Sequence, residues 1–227
     1  MGKKIIVTEK PSVARTYAKV LGVSEKYDGY MESNDYIITW CVGHLIALSY
    51  PEKYNEDYKQ WSFDTLPFLP DNYLYEVIDN VKDQFNVIRR LYNRSDVDTI
   101  YYAGDSAREG IYIQALIRQQ SRCKFKCSEK VVWIDSQTES EIVRGIKEAK
   151  PMSDYALLGE SGIMRAIEDY SLGINFSRAL SVKYGKLIND AAATKSYTAI
   201  AIGRVMTCVL GQVGGHTRYA DLVAEVV

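Results

Sequence analysis

Three acids sit where a fold could bring them together. Glu9 follows the apolar run IIVT, while Asp105 and Glu109 follow TIYYAG. In an open parallel α/β sheet, ligands bind outside the carboxyl ends of the strands, and both runs have the composition of such strands. Carboxylates converging there repel one another unless a hard cation neutralises them. Mg2+ suits that task, because it takes few direct carboxylates and keeps waters and phosphate oxygens as its other ligands. A purely structural reading also exists, in which Asp105 caps the following helix and Glu9 faces solvent. Spacing alone leaves both open.

The elements that must position these acids are legible from periodicity. KKIIVTEK has a β-branched run that predicts a strand, and PSVARTYAKVLG predicts a helix with Pro11 in its first turn and Gly22 as its stop. YIITWCVGHLI predicts a second strand. The stretch from Tyr50 to Tyr73 is rich in proline and aromatics and predicts a long irregular excursion, ordered rather than loose because disordered segments are poor in aromatics. Val77, Val81, Phe85, Ile88 and Leu91 recur at helical spacing and predict a helix over 77–93. DTIYYAGD is a buried strand ending in a carboxylate, GDSAREGIYIQALIRQQ a turn and helix, KVVWIDS a further strand, and TESEIVRGIKEAK a helix opened by a Thr138/Glu141 capping signal. Alternating strands and helices imply an α/β fold with a mostly parallel sheet covered by helices on both faces. After Pro151 the pattern turns helical, through SDYALLGESGIMRAIEDYSLGINFSRALSVKYG, a polar alanine-rich loop and SYTAIAIGRVMTCVLGQV. These patterns put a domain boundary near 150, with an α/β domain over 1–150 and a smaller, mainly helical one over 151–227.

Composition narrows the function classes. At 227 residues, 47% hydrophobic and 25% charged, the chain can bury one generous core or two modest ones. No run approaches the roughly 20 apolar residues of a membrane span, and MGKKIIVTEK leads into a strand rather than a signal peptide, so a cytoplasmic protein without a membrane partner is expected. The four cysteines, Cys41, Cys123, Cys127 and Cys208, read as free thiols. Only Cys123 and Cys127 are close, and no second pair accompanies them to make a zinc site; two of the four sit in apolar runs that suggest burial. A net charge of -1 argues against a generically basic nucleic-acid binder. Yet from Glu160 to Arg218 seven cations (Arg165, Arg178, Lys183, Lys186, Lys195, Arg204, Arg218) face four acids, which makes that segment locally positive.

VTEKPSVA and the GDSAREG turn resemble the two signature motifs of the Toprim domain, which occurs in topoisomerases, primases, gyrase B subunits and some nucleases. WCVGHLIALSYPEKYNEDYKQWSFDTLPFLPDNY is similar to the insertion of the topoisomerase III branch of type IA DNA topoisomerases, and WIDSQTESEI to its last Toprim strand and helix. RAIEDYSLGINFSRAL and IGRVMTCVL resemble the segment that carries DNA into the active site of that family. The resemblance runs from about Lys4 to about Leu210. It implies a Rossmann-like Toprim fold, Mg2+ as cofactor, single-stranded regions of DNA as partner, and an isomerase reaction: cleavage of one strand, passage of another, and religation.

Carried over by position, Glu9, Asp105 and Glu109 correspond to metal-site acids and, with Lys10, to the catalytic set. Lys10 would stabilise developing negative charge on the scissile phosphate. Arg165 and Asp169 match residues that contact the nucleotide upstream of the break, although their i, i+4 spacing equally suits a plain surface ion pair. Arg204, after Gly203 in the GRV motif, and Arg178 in the same DNA-carrying segment complete the expected DNA-binding residues. His44, in VGHL, matches a family position and otherwise reads as a hydrogen-bonded histidine near the core; Arg108 matches a family arginine without an assigned role.

The chain departs from the family pattern in places. Asp105-Ser106-Ala107 replaces Asp-x-Asp, Ile111 stands where a second glutamate often follows, and Ala201 and Met206 flank the GRV motif in place of serine and glutamine. None of the 18 tyrosines has a context resembling the family's nucleophile. The resemblance therefore implies an amino-terminal part of a type IA topoisomerase, inactive alone, with the remaining domains expected downstream. A stand-alone and catalytically degenerate Toprim protein with a binding or regulatory role remains the alternative.

Overall fold

The computed structural model of the chain describes residues 2–123, 127–192 and 196–224. Lys195 and the side chain of Arg218, both counted among the cations above, lie outside the described residues. The strands are β1 (Lys3–Thr8), β2 (Glu25–Tyr27), β3 (Tyr30–Glu32), β4 (Tyr36–Trp40), β5 (Ile46–Leu48), β6 (Tyr75–Val77), β7 (Val97–Ala103), β8 (Ser128–Val131) and β9 (Lys150–Pro151). The helices are α1 (Pro11–Leu21), α2 (Lys82–Tyr92), α3 (Arg108–Ser121), α4 (Glu139–Lys147), α5 (Ala156–Ala191) and α6 (Arg204–Ala224).

Seven strands form one sheet in the order β2-β3-β4-β1-β7-β8-β9, and β5 pairs with β6 in a separate ribbon. The four central strands are parallel: β1 pairs with β4 and β7, and β7 with β8. Antiparallel partners close both edges, β2 and β3 against β4 and β9 against β8. β1 runs through the middle of this sheet, and its Ile5, Ile6 and Val7 are fully buried, as expected for β-branched residues in a strand covered on both faces. Ile6 joins Ala14, Tyr17 and Ala18 of α1 and Ile142 of α4 in one core cluster. Alternation sends Ile5 and Val7 to the other face. α2 and α3 contact each other there and bury Phe85, Ile88, Leu91, Ile113, Leu116 and Ile117.

Helix α1 begins with Pro11 at its first position and ends at Gly22, whose φ of 68° is the left-handed stop expected from the sequence. Elsewhere the boundaries move. The helix expected over 77–93 begins only at Lys82, because Tyr75–Val77 is drawn into pairing with β5 and Asp79–Val81 makes one tight 3-10 turn. The strand expected through Ile46 stops at Trp40; Gly43, at φ 85°, breaks the extended run. Thr138 stands at the start of α4, but its side chain makes no capping hydrogen bond to the helix. The segment 196–203 is not helical, and α6 starts at Arg204. Cys41 is buried, whereas Cys208 is exposed despite its apolar surroundings in the sequence.

The chain forms two compact units that do not follow chain order. The first comprises Met1–Ala47 and Tyr75–Met164, the second Leu48–Leu74 and Arg165–Val227. Within the second, the aromatic excursion is ordered as expected. Phe68 is buried among Tyr54, Tyr58 and Tyr170 in edge-on contacts, and Asn175 of α5 donates to the Phe68 carbonyl at 2.9 Å. Among the described residues, no helix is long and apolar enough to cross a membrane.

Candidate functional site

The register of the central strands decides which residues meet. Thr8 of β1 lies opposite Ala103 of β7, so the residues that follow each strand emerge side by side. The backbone N–H of Asp105 donates to Glu9 Oε2 at 3.3 Å, and Lys10 Nζ lies 3.1 Å from Glu9 Oε1. Glu9 is largely enclosed, its side chain only 13% exposed, while Lys10 is open to solvent. Asp105 does not cap α3: the residue before that helix is Ala107, and no side chain caps it. The purely structural alternative for the two acids therefore does not hold.

Neighbouring groups pin the Asp105 turn. Ser106 Oγ donates to the Ile134 carbonyl at 2.8 Å and accepts from the Ile134 N–H at 2.9 Å, tying the turn to the segment after β8. Gly110, in the first turn of α3, allows the turn to fold back, since a Cβ there would lie 2.1 Å from the Asp105 carbonyl oxygen. Thr8 Oγ1 donates to the carbonyl of Lys10 at 3.1 Å and fixes the other side. Partial burial, and then the adjacent Glu9 carboxylate, push the Asp105 carboxyl above the usual aspartate range; Lys10 opposes that shift. Lys10 is itself pushed up by its hydrogen bond and charge pairing with Glu9, which keeps its ammonium protonated.

Glu109 is engaged elsewhere, its Oε1 lying 2.8 Å from His44 Nε2 with both side chains about half-exposed. His44 is thus exposed rather than near the core, and it is paired with an acid of the expected metal set. Among the described residues, no three His, Cys, Asp or Glu side chains are grouped to hold a metal. The Glu9–Asp105 pair nonetheless suits Mg2+. Two crowded carboxylates, one of them held reluctant to ionise, form the one-or-two-carboxylate donor set that this ion uses beside water and phosphate.

One residue of the site escaped the sequence reading. A cavity of about 340 Å³ is lined by Glu9, Gly104, Asp105, Ser106, Asp135 and Ser136, among others. Asp135 lies four residues beyond the end of β8, on the carboxyl side of the sheet where Glu9 and Asp105 follow β1 and β7. The strand-end rule applied to KVVWIDS would have named it.

The second unit assembles three of the four expected DNA-binding residues. Asp169 accepts from Arg165 Nε at 3.2 Å and from Arg204 Nε at 3.0 Å, so one carboxylate bridges two guanidinium groups. Arg204 reaches Asp169 because the segment before it is strapped along α5. Ser177 Oγ and Ser181 Oγ each accept a backbone N–H, from Ile202 and Ile200, at 2.8 Å, and Asn189 exchanges two hydrogen bonds with the backbone of Thr198. Ser177, Ser181, Gly185 and Asn189 recur every four residues and form one stripe of the helix. Gly185 leaves room for Tyr197, whose hydroxyl oxygen would lie 2.2 Å from a Cβ there. Arg178 is different. It is 2% exposed, donates to the Tyr58 carbonyl at 2.8 Å, pairs with Glu52 at 3.4 Å and stacks on Trp61, so its guanidinium is used inside the unit rather than offered to a ligand.

Comparison with known proteins gives this geometry a family. Residues 4–135 match the Toprim domain. DNA topoisomerase 3 of Shouchella clausii (strain KSM-K16) is 40% identical over 204 residues, covering 90% of this chain and 28% of the relative. The Bacillus subtilis (strain 168) DNA topoisomerase 3 is 33% identical over 224 residues, covering 99% and 29%. The chain thus spans less than a third of the length of the curated relatives it matches. A structure of full-length topoisomerase I from Thermotoga maritima shares the fold, with a TM-score of 0.53 at 21% identity over 78% of this chain and 26% of that one. With more than half of its length inside the match, the chain belongs to the Toprim-domain family and within it resembles DNA topoisomerase 3.

Proposed function

We propose that the chain is the amino-terminal part of a type IA DNA topoisomerase, with a Toprim domain over 1–150 and a helical DNA-binding segment over 151–227. In this reading it supplies the acid-and-lysine half of a site that cleaves, passes and religates DNA strands. The juxtaposition of Glu9, Lys10 and Asp105 at adjacent strand ends carries the proposal. Glu9 and Asp105 would hold Mg2+, which when bound supplies positive charge to phosphate oxygens. Lys10, exposed and protonated, would neutralise charge developing on the scissile phosphate. Arg165 and Arg204, steered by Asp169, would bind DNA in single-stranded regions. The isolated chain would relax nothing, because no tyrosine in it has the context of the family's nucleophile.

Calorimetric titration with Mg2+ tests the site. Binding in the millimolar range or tighter, lost in Glu9→Gln and in Asp105→Ala, is expected; binding indifferent to both substitutions would remove the basis of the reading. Plasmid relaxation by the chain alone would overturn the part about incompleteness. A second reading, a regulatory Toprim DNA-binding protein, is favoured by Ala107 in place of an acid and by the engagement of Glu109 with His44. Absence of Mg2+ binding together with retained DNA binding would select it.

A further inference from the structure

The second unit carries an open groove of about 630 Å³ that none of Arg165, Asp169, Arg178 and Arg204 lines. That volume falls within the roughly 300–1,000 Å³ of small-ligand sites. Its walls include Lys59 and Trp61 from the excursion, Val182 and Lys186 from α5, and Tyr197 from the strap. Trp61 and Tyr197 are 38% and 61% exposed and both line the groove. Both are held in place. The buried Arg178 guanidinium sits 5.2 Å from the centre of the Trp61 ring, and the Tyr197 hydroxyl donates to the Ser181 carbonyl at 3.1 Å, over the notch left by Gly185. Rings already fixed by neighbours lose little freedom when something stacks on them.

The charges around the rings are positive. Among the described residues no carboxylate pairs with Lys59, and the pairing of Lys186 with Asp190 is solvent-exposed, where an ion pair is weak and its lysine can turn to another anion. Lysines beside exposed, preset rings match the chemistry of a single-stranded nucleic acid, with phosphates for the ammonium groups and bases for the ring faces. An acidic peptide would satisfy the lysines and leave the rings without flat partners.

We propose that this groove is an accessory subsite for one or two nucleotides of single-stranded DNA, stacked on Tyr197 and Trp61 and contacted at phosphate by Lys59 and Lys186. The subsite rests on the reading of the chain as a DNA-binding protein and extends it to residues outside the Arg165–Asp169–Arg204 cluster.

The test is fluorescence anisotropy of the 227-residue chain with a labelled oligodeoxythymidine of about 12 nucleotides, across a salt series. Tyr197→Ala is expected to weaken binding about ten-fold, whereas Tyr197→Phe, which keeps the ring and loses only its hydroxyl anchor, is expected to weaken it less. Lys59→Ala is expected to flatten the plot of log K against log salt by about 0.7, one phosphate contact on a single strand. A merely structural role for Lys59 would not move that slope, so the lysine variant decides the matter should Tyr197→Ala fail to fold. Wild-type binding with the slope unchanged in Lys59→Ala and the affinity unchanged in a folded Tyr197→Ala overturns the subsite while leaving DNA binding intact. No binding by the wild type would sink the DNA-binding reading itself, and the subsite with it.

Discussion

The two ends of the central sheet treat their carboxylates in opposite ways. At the amino ends of β1 and β7, Glu32 is 8% exposed and fully matched: Lys3 Nζ lies at 2.5 Å, and Arg94 grips it with two hydrogen bonds of 2.8 and 3.0 Å while also holding Asp96. At the carboxyl ends of the same strands, Glu9 and the exposed Asp105 are set against each other, with one solvent-exposed lysine paired to Glu9. Burial works to raise the Glu32 carboxyl, but Arg94 and Lys3 together hold it below the ordinary glutamate range, whereas partial burial and then the Glu9 carboxylate raise Asp105. An arrangement that only had to be stable would look like the first end. The second keeps a local deficit of positive charge, which is what a site that binds a cation requires.

Substitutions can break this contrast. The largest effect is expected from Glu32→Gln, which strips Lys3 and Arg94 of their shared partner in a largely enclosed setting. Urea denaturation should show a loss of roughly 2–3 kcal/mol; a change below about 0.5 kcal/mol would mean that the matched end is ornamental. Next comes Gly110→Ala. Its methyl group runs into the Asp105 backbone, so Mg2+ affinity should fall at least about ten-fold, roughly 1.4 kcal/mol, with the protein still folded by circular dichroism. Asp105→Asn should do the reverse of Glu32→Gln in metal-free buffer. Removing one of two opposed charges is expected to leave stability unchanged or raised by about 0.5 kcal/mol. A clear destabilisation there would show that Asp105 has a structural partner after all.

Acidification sharpens the comparison with opposite signs. Glu32, lowered on folding, contributes stability above its unfolded pKa that disappears as pH falls through its folded value. The deficit of Glu32→Gln relative to wild type should therefore persist at pH 5 and close only below about pH 4. Asp105, raised on folding, favours the fold below its unfolded pKa and loses that contribution as pH rises through its folded value. The gain of Asp105→Asn should therefore vanish first, on descending from neutrality toward about pH 4. Denaturation midpoints of the three proteins between about pH 3 and pH 7 would reveal the order. The smallest effect is expected from Asp135→Asn, which lines the same cavity and should weaken Mg2+ only about three-fold.

Much of this was legible in the linear order of residues. Buried β-branched runs followed by acids announced β1 and β7 and located Glu9 and Asp105, because a parallel strand covered on both faces must be apolar to its end and then turn polar. Pro11 and Gly22 bracketed α1 for backbone reasons that need no tertiary partner. The hairpin of β2 and β3 went unread, although Asp28-Gly29 is a two-residue turn signal; three-residue strands with exposed positions carry too little alternation to stand out. Val77 and Val81 continued the helical spacing of α2 into residues that pairing with β5 withdrew from the helix, a case of tertiary contact overriding period.

By itself, then, the sequence determined the α/β alternation and the two strand-end acids, which follow from local periodicity and residue chemistry, while Lys10 and the arginines of the helical region were singled out only by the family resemblance. Only the tertiary structure decided which side chains share space. It set Thr8 opposite Ala103, turned Glu109 toward His44, added Asp135 to the cavity, joined Arg165 and Arg204 through Asp169, and buried Arg178 under Trp61. The physical reason is common to all five. Strand register and helix packing fix distances between residues far apart in the chain, and a charge's role depends on what lies within a few ångströms of it.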